Sequence, residues 1–215
     1  MKTIKYLVGF LALPLLVSCS SVKTVNSWQK NKSLNLESKK VIVFSKTNDA
    51  FIRKQFESDL TTVLKENKIQ GIESFTVFPK IDTNKKLNLE EQLAFVSGLR
   101  NKGIDVIVLT SLKNVHEYSK TVSSGTNYAS YTYPVVYRYN KGFYRYYTTV
   151  YYETAPMSYE TYKVKKYVLE TVIYDLTKSK EEQLVSIINS EIDNPQSLEK
   201  VSKDFSKGIV KQLLK

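Results

Sequence analysis

The sequence has few of the residues on which many functional centres depend. Its 215 residues include one Cys and one His. That excludes an internal disulfide framework, a Cys-based zinc site and a His-cluster metal centre. The 7 Gly include no phosphate-binding loop and no nicotinamide-type glycine fingerprint. We therefore expect no metal centre and no nucleotide cofactor, while 42% hydrophobic and 12% aromatic residues predict a packed core.

The N-terminal segment has the layout of a secretory signal peptide over residues 1–18. Two lysines precede an apolar run over residues 7–17, which is shorter than the about 20 residues a transmembrane helix needs. The following Leu16-Val17-Ser18-Cys19 resembles the lipobox of bacterial lipoproteins. The resemblance implies cleavage before Cys19, a diacylglycerol on its thiol and an acyl chain on its new amine. The alternative is an ordinary secreted protein with an incidental free cysteine.

The segment after the leader predicts a tether. Residues 19–39 are rich in Ser, Asn and Lys, and Trp28 interrupts them. Trp28 is either a plug on the domain surface or an anchor for a partner or membrane. The chain without its leader keeps a charge of +9, compared with +11 for all residues. An exported protein does not meet nucleic acid, so this charge favours anionic headgroups or acidic envelope polymers.

Residues 40–215 predict one α/β (α+β) domain. Its first half has a β-α-β-α-β order, which implies parallel strands with right-handed crossovers. The predicted elements are a buried strand at 41–44, a helix at 48–68 capped by Asn48, a strand at 72–78, a helix from an Asn88/Glu91 capping box to Gly103, and a strand at 104–112.

The second half predicts antiparallel strands and a terminal helix, so the whole sheet is mixed. Alternation favours a long strand at 162–176 and a returning strand at 184–192. Asn194-Pro195 predicts the start of the helix. Apolar residues then recur at helical spacing: Leu198, Val201, Phe205, Ile209 and Leu213.

Tyrosine is concentrated in an insert over residues 118–160, between these halves. Of the 16 Tyr, 14 lie from Tyr118 to Tyr167, and period-2 alternation on both sides of Asn140-Lys141-Gly142 predicts a hairpin. The hairpin either covers a sheet edge or forms a recognition surface, since Tyr and Arg are enriched in binding hot spots. The candidate binding residues are Tyr131, Tyr133, Tyr137, Arg138, Tyr139, Tyr144, Arg145, Tyr146, Tyr147 and Trp28.

Several short motifs together resemble a group of envelope lipoproteins. They are the lipobox, Trp28, Arg53-x-x-Phe56-Glu57-x-x-Leu60, Ile104-Asp105-Val106-Ile107-Val108, the tyrosine-rich insert, and Glu170-Thr171-Val172-Ile173-Tyr174-Asp175-Leu176 before a polar turn and strand. The domain is similar to the N-terminal domain of TolB. It is related in architecture to the curli secretion lipoprotein and to lipoprotein activators of penicillin-binding proteins, within an uncharacterised subgroup. This implies an α/β fold on a lipid anchor. Ser20, and not Asp, follows Cys19, which resembles the signal to leave the inner membrane, so we expect the outer membrane facing the periplasm in a Gram-negative cell and the outer face of the plasma membrane in a Gram-positive cell.

Three functions follow from these patterns. The first is a non-enzymatic, membrane-anchored adaptor or assembly factor that contacts an envelope protein, and the second is a module that binds peptidoglycan or an acidic glycan. The third is a hydrolase using His116 and Glu117, although no second histidine supports it. We interpret Arg53 and Glu57 as an exposed helix pair, and expect Glu170 and Asp175 to be satisfied by nearby turns.

Overall fold

The computed structural model describes residues 22–30, 34–83, 85, 87–121, 151–153, 161–195 and 197–215. The strands are β1 (Val22–Gln29), β2 (Lys40–Lys46), β3 (Gln70–Glu73), β4 (Val106–Thr121), β5 (Tyr151–Glu153), β6 (Thr161–Asp175) and β7 (Leu184–Asp193). The helices are α1 (Ala50–Glu66), α2 (Ser74–Val77), α3 (Leu89–Asn101) and α4 (Leu198–Leu213).

The strands form a single mixed sheet, which confirms the predicted α/β class. Their order is β1-β7-β6-β4-β2-β3, and β5 pairs with β4 beside this path. Strands β3, β2 and β4 are parallel, as the strand-helix-strand pattern predicted. Strands β4, β6, β7 and β1 follow in antiparallel order. The predicted hairpin at 131–151 lies largely outside the described residues.

A hydrophobic core lies on each face of the sheet, and strand β2 is therefore buried on both sides. Val41 and Val43 contribute to the core under α1 and α4, whereas Ile42 and Phe44 contribute to the core under α3. The apolar stripe of α4 packs against the first of these cores, with the rings of Phe56 and Phe205 5.3 Å apart.

The helix boundaries confirm some of the predicted caps and correct others. Asn88 and Glu91 form the predicted capping box of α3, and Gly103 follows that helix with a φ of 69°. Helix α1 is capped by the carboxylate of Asp49, where the sequence predicted Asn48.

The predicted start of the terminal helix is wrong by three residues. Helix α4 begins at Leu198, and the Ser197 hydroxyl accepts a hydrogen bond from the Lys200 backbone N–H. Asn194 has a φ of 46°, so it belongs to the turn that leaves β7. Asn-Pro patterns favour turns as well as helix starts, and here the turn prevails.

The predicted strand at 72–78 is also corrected, because β3 ends at Glu73 and the short helix α2 follows. Helix α1 lies close against this segment: a Cβ on Gly71 would be 3.2 Å from the Thr61 backbone. The Phe75 backbone N–H donates to the Glu57 carboxylate, which turns the chain toward α1 after β3.

Strand β1 occupies residues that the sequence assigned to the tether. Val22 to Gln29 pair antiparallel with β7, with an irregularity between Thr24 and Asn26. Most of the β1 side chains are exposed, because the strand lies at the sheet edge. Its polar composition therefore resembles that of a loop, although its backbone completes the sheet.

Arg53 and Glu57 are buried, so their interpretation as a surface pair is wrong. Arg53 is 7% exposed and Glu57 is 0% exposed. The Glu57 carboxylate accepts hydrogen bonds from the Arg53 guanidinium at 3.0 Å, the Ser45 N–H at 3.0 Å and the Ser74 hydroxyl at 2.7 Å. Arg53 also donates to the Ser74 hydroxyl at 2.7 Å and to the Phe78 carbonyl at 3.3 Å.

Candidate functional site

Trp28 is the one predicted site residue that the structure describes. It lies on β1 opposite Ile187, and its backbone carbonyl accepts a hydrogen bond from the Ser186 hydroxyl. The indole is 48% exposed, and Val25, at the irregularity of the same strand, is 53% exposed. Lying outside the described residues are Cys19 and the tyrosine-rich set Tyr131, Tyr133, Tyr137, Arg138, Tyr139, Tyr144, Arg145, Tyr146 and Tyr147.

Strand directions place several functional elements at one end of the sheet. Strands β2 and β4 are parallel, and β7 runs in the direction of β4 because antiparallel β6 separates them. Strand β1 is antiparallel to β7, with Val22 opposite Ile192. The start of β1 and the ends of β2 and β7 therefore share what we call the Val22 end of the sheet.

A pocket of about 750 Å³ opens at the Val22 end, between the N-terminal parts of α1 and α4. We call it the α1–α4 pocket. Its lining includes the end of β2 and the adjacent part of β4. Ligands of open α/β sheets commonly bind at the carboxyl ends of parallel strands, which makes this a candidate binding site.

The wall of the α1–α4 pocket is largely apolar. Phe56, Ile192 and Val201 are buried in the core and still contribute to the lining. Further apolar lining comes from three residues on α1, β6 and α4: Ile52, Leu169 and Leu198. Such a surface suits a hydrocarbon ligand better than one recognised by hydrogen bonds.

Several polar groups at the pocket are already used by the fold. The Asp49 carboxylate accepts hydrogen bonds from the N–H groups of Phe51 at 2.8 Å and Ile52 at 3.0 Å. The Thr110 and Thr171 hydroxyls share a hydrogen bond of 2.9 Å. Sequence reasoning missed this pocket, because its walls come from several elements whose proximity depends on the order of the strands.

A separate polar cluster surrounds Glu170 on the opposite face of the sheet. Glu170 is 0% exposed, and one of its oxygens lies 3.4 Å from the Lys113 ammonium. Both Glu170 carboxylate oxygens lack a hydrogen-bond partner among the described residues, so the expectation that a turn satisfies this residue is wrong. Burial, reinforced by the Glu170 carboxylate, raises the pKa of the Tyr174 hydroxyl well above its usual value.

Asp175, in contrast, is satisfied by the turn that follows it, as predicted. One carboxylate oxygen accepts hydrogen bonds from the Thr177 N–H at 3.1 Å and the Thr177 hydroxyl at 2.6 Å. The other oxygen lies 2.6 Å from the Lys39 ammonium. Burial alone would raise the pKa of Asp175, but these hydrogen bonds outweigh it and hold the pKa below its usual value.

His116 and Glu117 do not form a catalytic pair. They are consecutive residues of β4, so their side chains point to opposite faces of the sheet. The His116 Nε2 atom lies 3.2 Å from the Asn114 side-chain nitrogen, whereas Glu117 forms an ion pair with Lys165 at 3.1 Å. Within the described ranges, no three His, Cys, Asp or Glu side chains gather as a metal site.

No helix in the described part of the chain is both long enough and apolar enough to cross a bilayer. Comparison with known proteins gives no match to a family model and none to a curated protein.

Two solved structures resemble the chain distantly. The PelC dodecamer from Paraburkholderia phytofirmans is 10% identical with a TM-score of 0.45, and the alignment covers 88% of this chain and 96% of that one. A variant of this dodecamer in another crystal form is 9% identical with a TM-score of 0.45, covering 88% and 97%. Likeness at this level carries no conclusion here, and the resemblance to TolB-like lipoproteins stays a prediction.

Proposed function

We propose that the protein is a lipid-anchored, non-enzymatic envelope protein that acts as an adaptor or assembly factor through contacts with another envelope protein. The observation that carries the proposal is the exposed Trp28 on edge strand β1, which begins three residues after the lipobox Cys19. An edge strand close to a membrane anchor is suited to a partner that lies in or on the same membrane.

The edge position of β1 supports a protein partner. Strand β1 is the terminal strand of the described sheet and pairs there with β7, a position that suits strand addition by a partner. Exposed Trp28 and Val25 add an apolar contact to that edge, and Trp is among the residues most enriched in interface hot spots. The irregularity at Val25 divides β1 into two regularly paired segments, residues 22–24 and residues 26–29.

The short connection to Cys19 supports a fixed distance from the membrane. Three residues span at most about 11 Å, so a lipid at Cys19 would hold Val22 close to the headgroups. The tether predicted from sequence would have allowed several times that distance. The Val22 end of the sheet would then face the bilayer, and strand β1 would extend from that end away from the membrane.

Site-specific photocrosslinking tests the protein contact. A benzophenone side chain replaces Trp28 in the full chain in its native membrane, and the matched control carries it at Phe51, an exposed position on α1. We expect one discrete protein adduct from position 28 and none of that size from position 51. Absence of a protein adduct at position 28, or identical adducts at both positions, would contradict the proposed interface.

The tyrosine-rich insert is proposed to contact the same protein partner, and a separate experiment tests this contact. Deletion of residues 128–152 is predicted to lower recovery of the crosslinked partner in a pull-down of the full chain. Unchanged recovery would remove the insert from the binding surface and leave β1 as the contact.

A second candidate function is binding to peptidoglycan or an acidic glycan. Exposed Trp28 favours it, because aromatic faces also stack on sugar rings, and the charge of +9 that remains without the leader suits an acidic polymer. Sedimentation with purified cell wall distinguishes the two functions. Glycan binding predicts that the protein co-sediments and that Trp28→Ala reduces the bound fraction, whereas a protein contact alone predicts that it stays in the supernatant.

A further inference from the structure

The α1–α4 pocket combines a ligand-sized volume with an apolar wall. Its volume of about 750 Å³ falls within the range of small-molecule sites. Phe56, Ile192 and Val201 give it buried hydrocarbon surface. The Asp49 carboxylate and the Ser197 hydroxyl at its rim are already used as helix caps. A ligand that relied on those groups would uncap a helix, so the arrangement favours a hydrocarbon chain.

The position of the pocket indicates where such a chain would come from. Ile192 lines the pocket and pairs with Val22, the first residue of β1. Val22 lies at most about 11 Å along the chain from Cys19. This placement rests on the proposed lipid anchor, which would keep the pocket at the bilayer surface, where acyl chains are at high effective concentration.

We propose that the α1–α4 pocket binds one acyl chain of a bilayer lipid. The hydrocarbon leaves water and contacts the apolar walls supplied by α1, α4, β6 and β7. No covalent step is involved, and the pocket itself needs no anchor in order to bind. With a lipid bound in the pocket, the arrangement of α1 and α4 would depend on contact with the membrane.

Direct titration of an unlipidated chain tests the pocket independently of the anchor. The chain carries Cys19→Ser behind a non-lipoprotein leader and is titrated with decanoate, dodecanoate and tetradecanoate below their micelle concentrations. We expect saturable 1:1 binding whose affinity rises about fourfold for each added methylene. No saturable binding, or affinity independent of chain length, would overturn the proposal while leaving the β1 contact untouched.

Two substitutions that fill the pocket localise the binding. Leu198→Trp on α4 and Ile52→Trp on α1 enlarge partly buried side chains that line the pocket. The matched control is Leu93→Trp, at an exposed position of α3 on the other side of the sheet. We expect at least about tenfold weaker tetradecanoate binding in either pocket variant and less than about twofold change in the control. Wild-type affinity in both folded pocket variants would contradict the assignment.

The lipidated chain identifies the source of the acyl group. It is reconstituted in phosphatidylethanolamine–phosphatidylglycerol vesicles that contain a phosphatidylethanolamine with a diazirine in one acyl chain. Labelling of peptides from α1, α4 or β7, reduced by Leu198→Trp, supports a bilayer lipid. If fatty acids bind the Cys19→Ser chain but the lipidated chain is not labelled there, the protein's own anchor fills the pocket and the bilayer source is wrong.

Discussion

Glu57 joins the ends of three elements through one buried carboxylate. It accepts hydrogen bonds from Arg53 within α1, from the Ser45 N–H in β2, and from Ser74 and Phe75 in α2. The spacing of Arg53 and Glu57 is that of an ordinary surface pair, and their sequence neighbours do not reveal burial. The end of β2 and the turn into α2 bury these two side chains. The fold, and not adjacency in the chain, brings both segments to α1.

Removal of the Glu57 carboxylate is predicted to destabilise the fold strongly. Glu57→Ala leaves the buried Arg53 guanidinium without its counter-ion and should lower the free energy of unfolding by about 3–5 kcal/mol. Urea denaturation of the unlipidated chain measures this. The matched control is Glu199→Ala, which removes an exposed ion pair with Lys203 and should change stability little. Equal losses in the two variants would contradict the role assigned to Glu57.

Asp175 is predicted to contribute a pH-dependent part of the stability. Its pKa is lowered in the folded state, so the unfolded chain, with an ordinary Asp pKa of about 3.9, binds the proton more tightly. The contribution is complete above about pH 5 and is lost as the pH falls through the folded-state pKa.

The test compares the wild type with Lys39→Gln, which removes the ammonium 2.6 Å from the Asp175 carboxylate. The free energies of unfolding of the two proteins, measured from pH 7 to pH 2, should differ most near neutral pH and become equal in acid. A constant difference across the range would show that Lys39 acts through packing and not through the charge of Asp175.

At the scale of elements, sequence patterns located the buried and strongly periodic segments. They predicted β2, α1, α3, β6, β7 and α4, because each carries a clear apolar period or a specific cap. They missed β1 because an edge strand with polar side chains has the composition of a loop. They missed α2 because four residues are too few for a helical period, and because the acceptor for its Phe75 N–H is the Glu57 carboxylate on another element.

Substitution by alanine is predicted to change the free energy of unfolding in opposite directions at two glycines. Gly98 lies inside α3, and a Cβ added there would meet no neighbouring atom within 4 Å, so Gly98→Ala should stabilise the protein by about 0.5–1 kcal/mol. Gly71 lies in β3, where the Cβ would be 3.2 Å from Thr61, so Gly71→Ala should destabilise it by about 1–3 kcal/mol. Thermal unfolding of both variants checks the signs, and a loss of stability in Gly98→Ala would contradict the helix packing described.

At the scale of the whole molecule, the order of the strands determines what the surfaces can do. It places Val22 at the start of edge strand β1 and the mouth of the α1–α4 pocket at the same end of the sheet, and Val22 is three residues from Cys19 in the chain. The shared end of the sheet was not predictable from sequence, because residue 22 meets residue 192 only through pairing at the far edge of the sheet. The resemblance to a lipobox at Leu16-Val17-Ser18-Cys19, in contrast, depends on a local motif that the sequence alone displays, and lipidation of Cys19 stays a prediction.

Attachment through Cys19 is the central claim, and the intact mass of the protein extracted from its native membrane tests it most directly. We predict a chain that begins at Cys19 and carries the added mass of a diacylglycerol and one further acyl group. A chain that retains residues 1–18 and a free cysteine thiol would contradict membrane anchoring, the proposed position of the pocket at the bilayer and the adaptor function built on them.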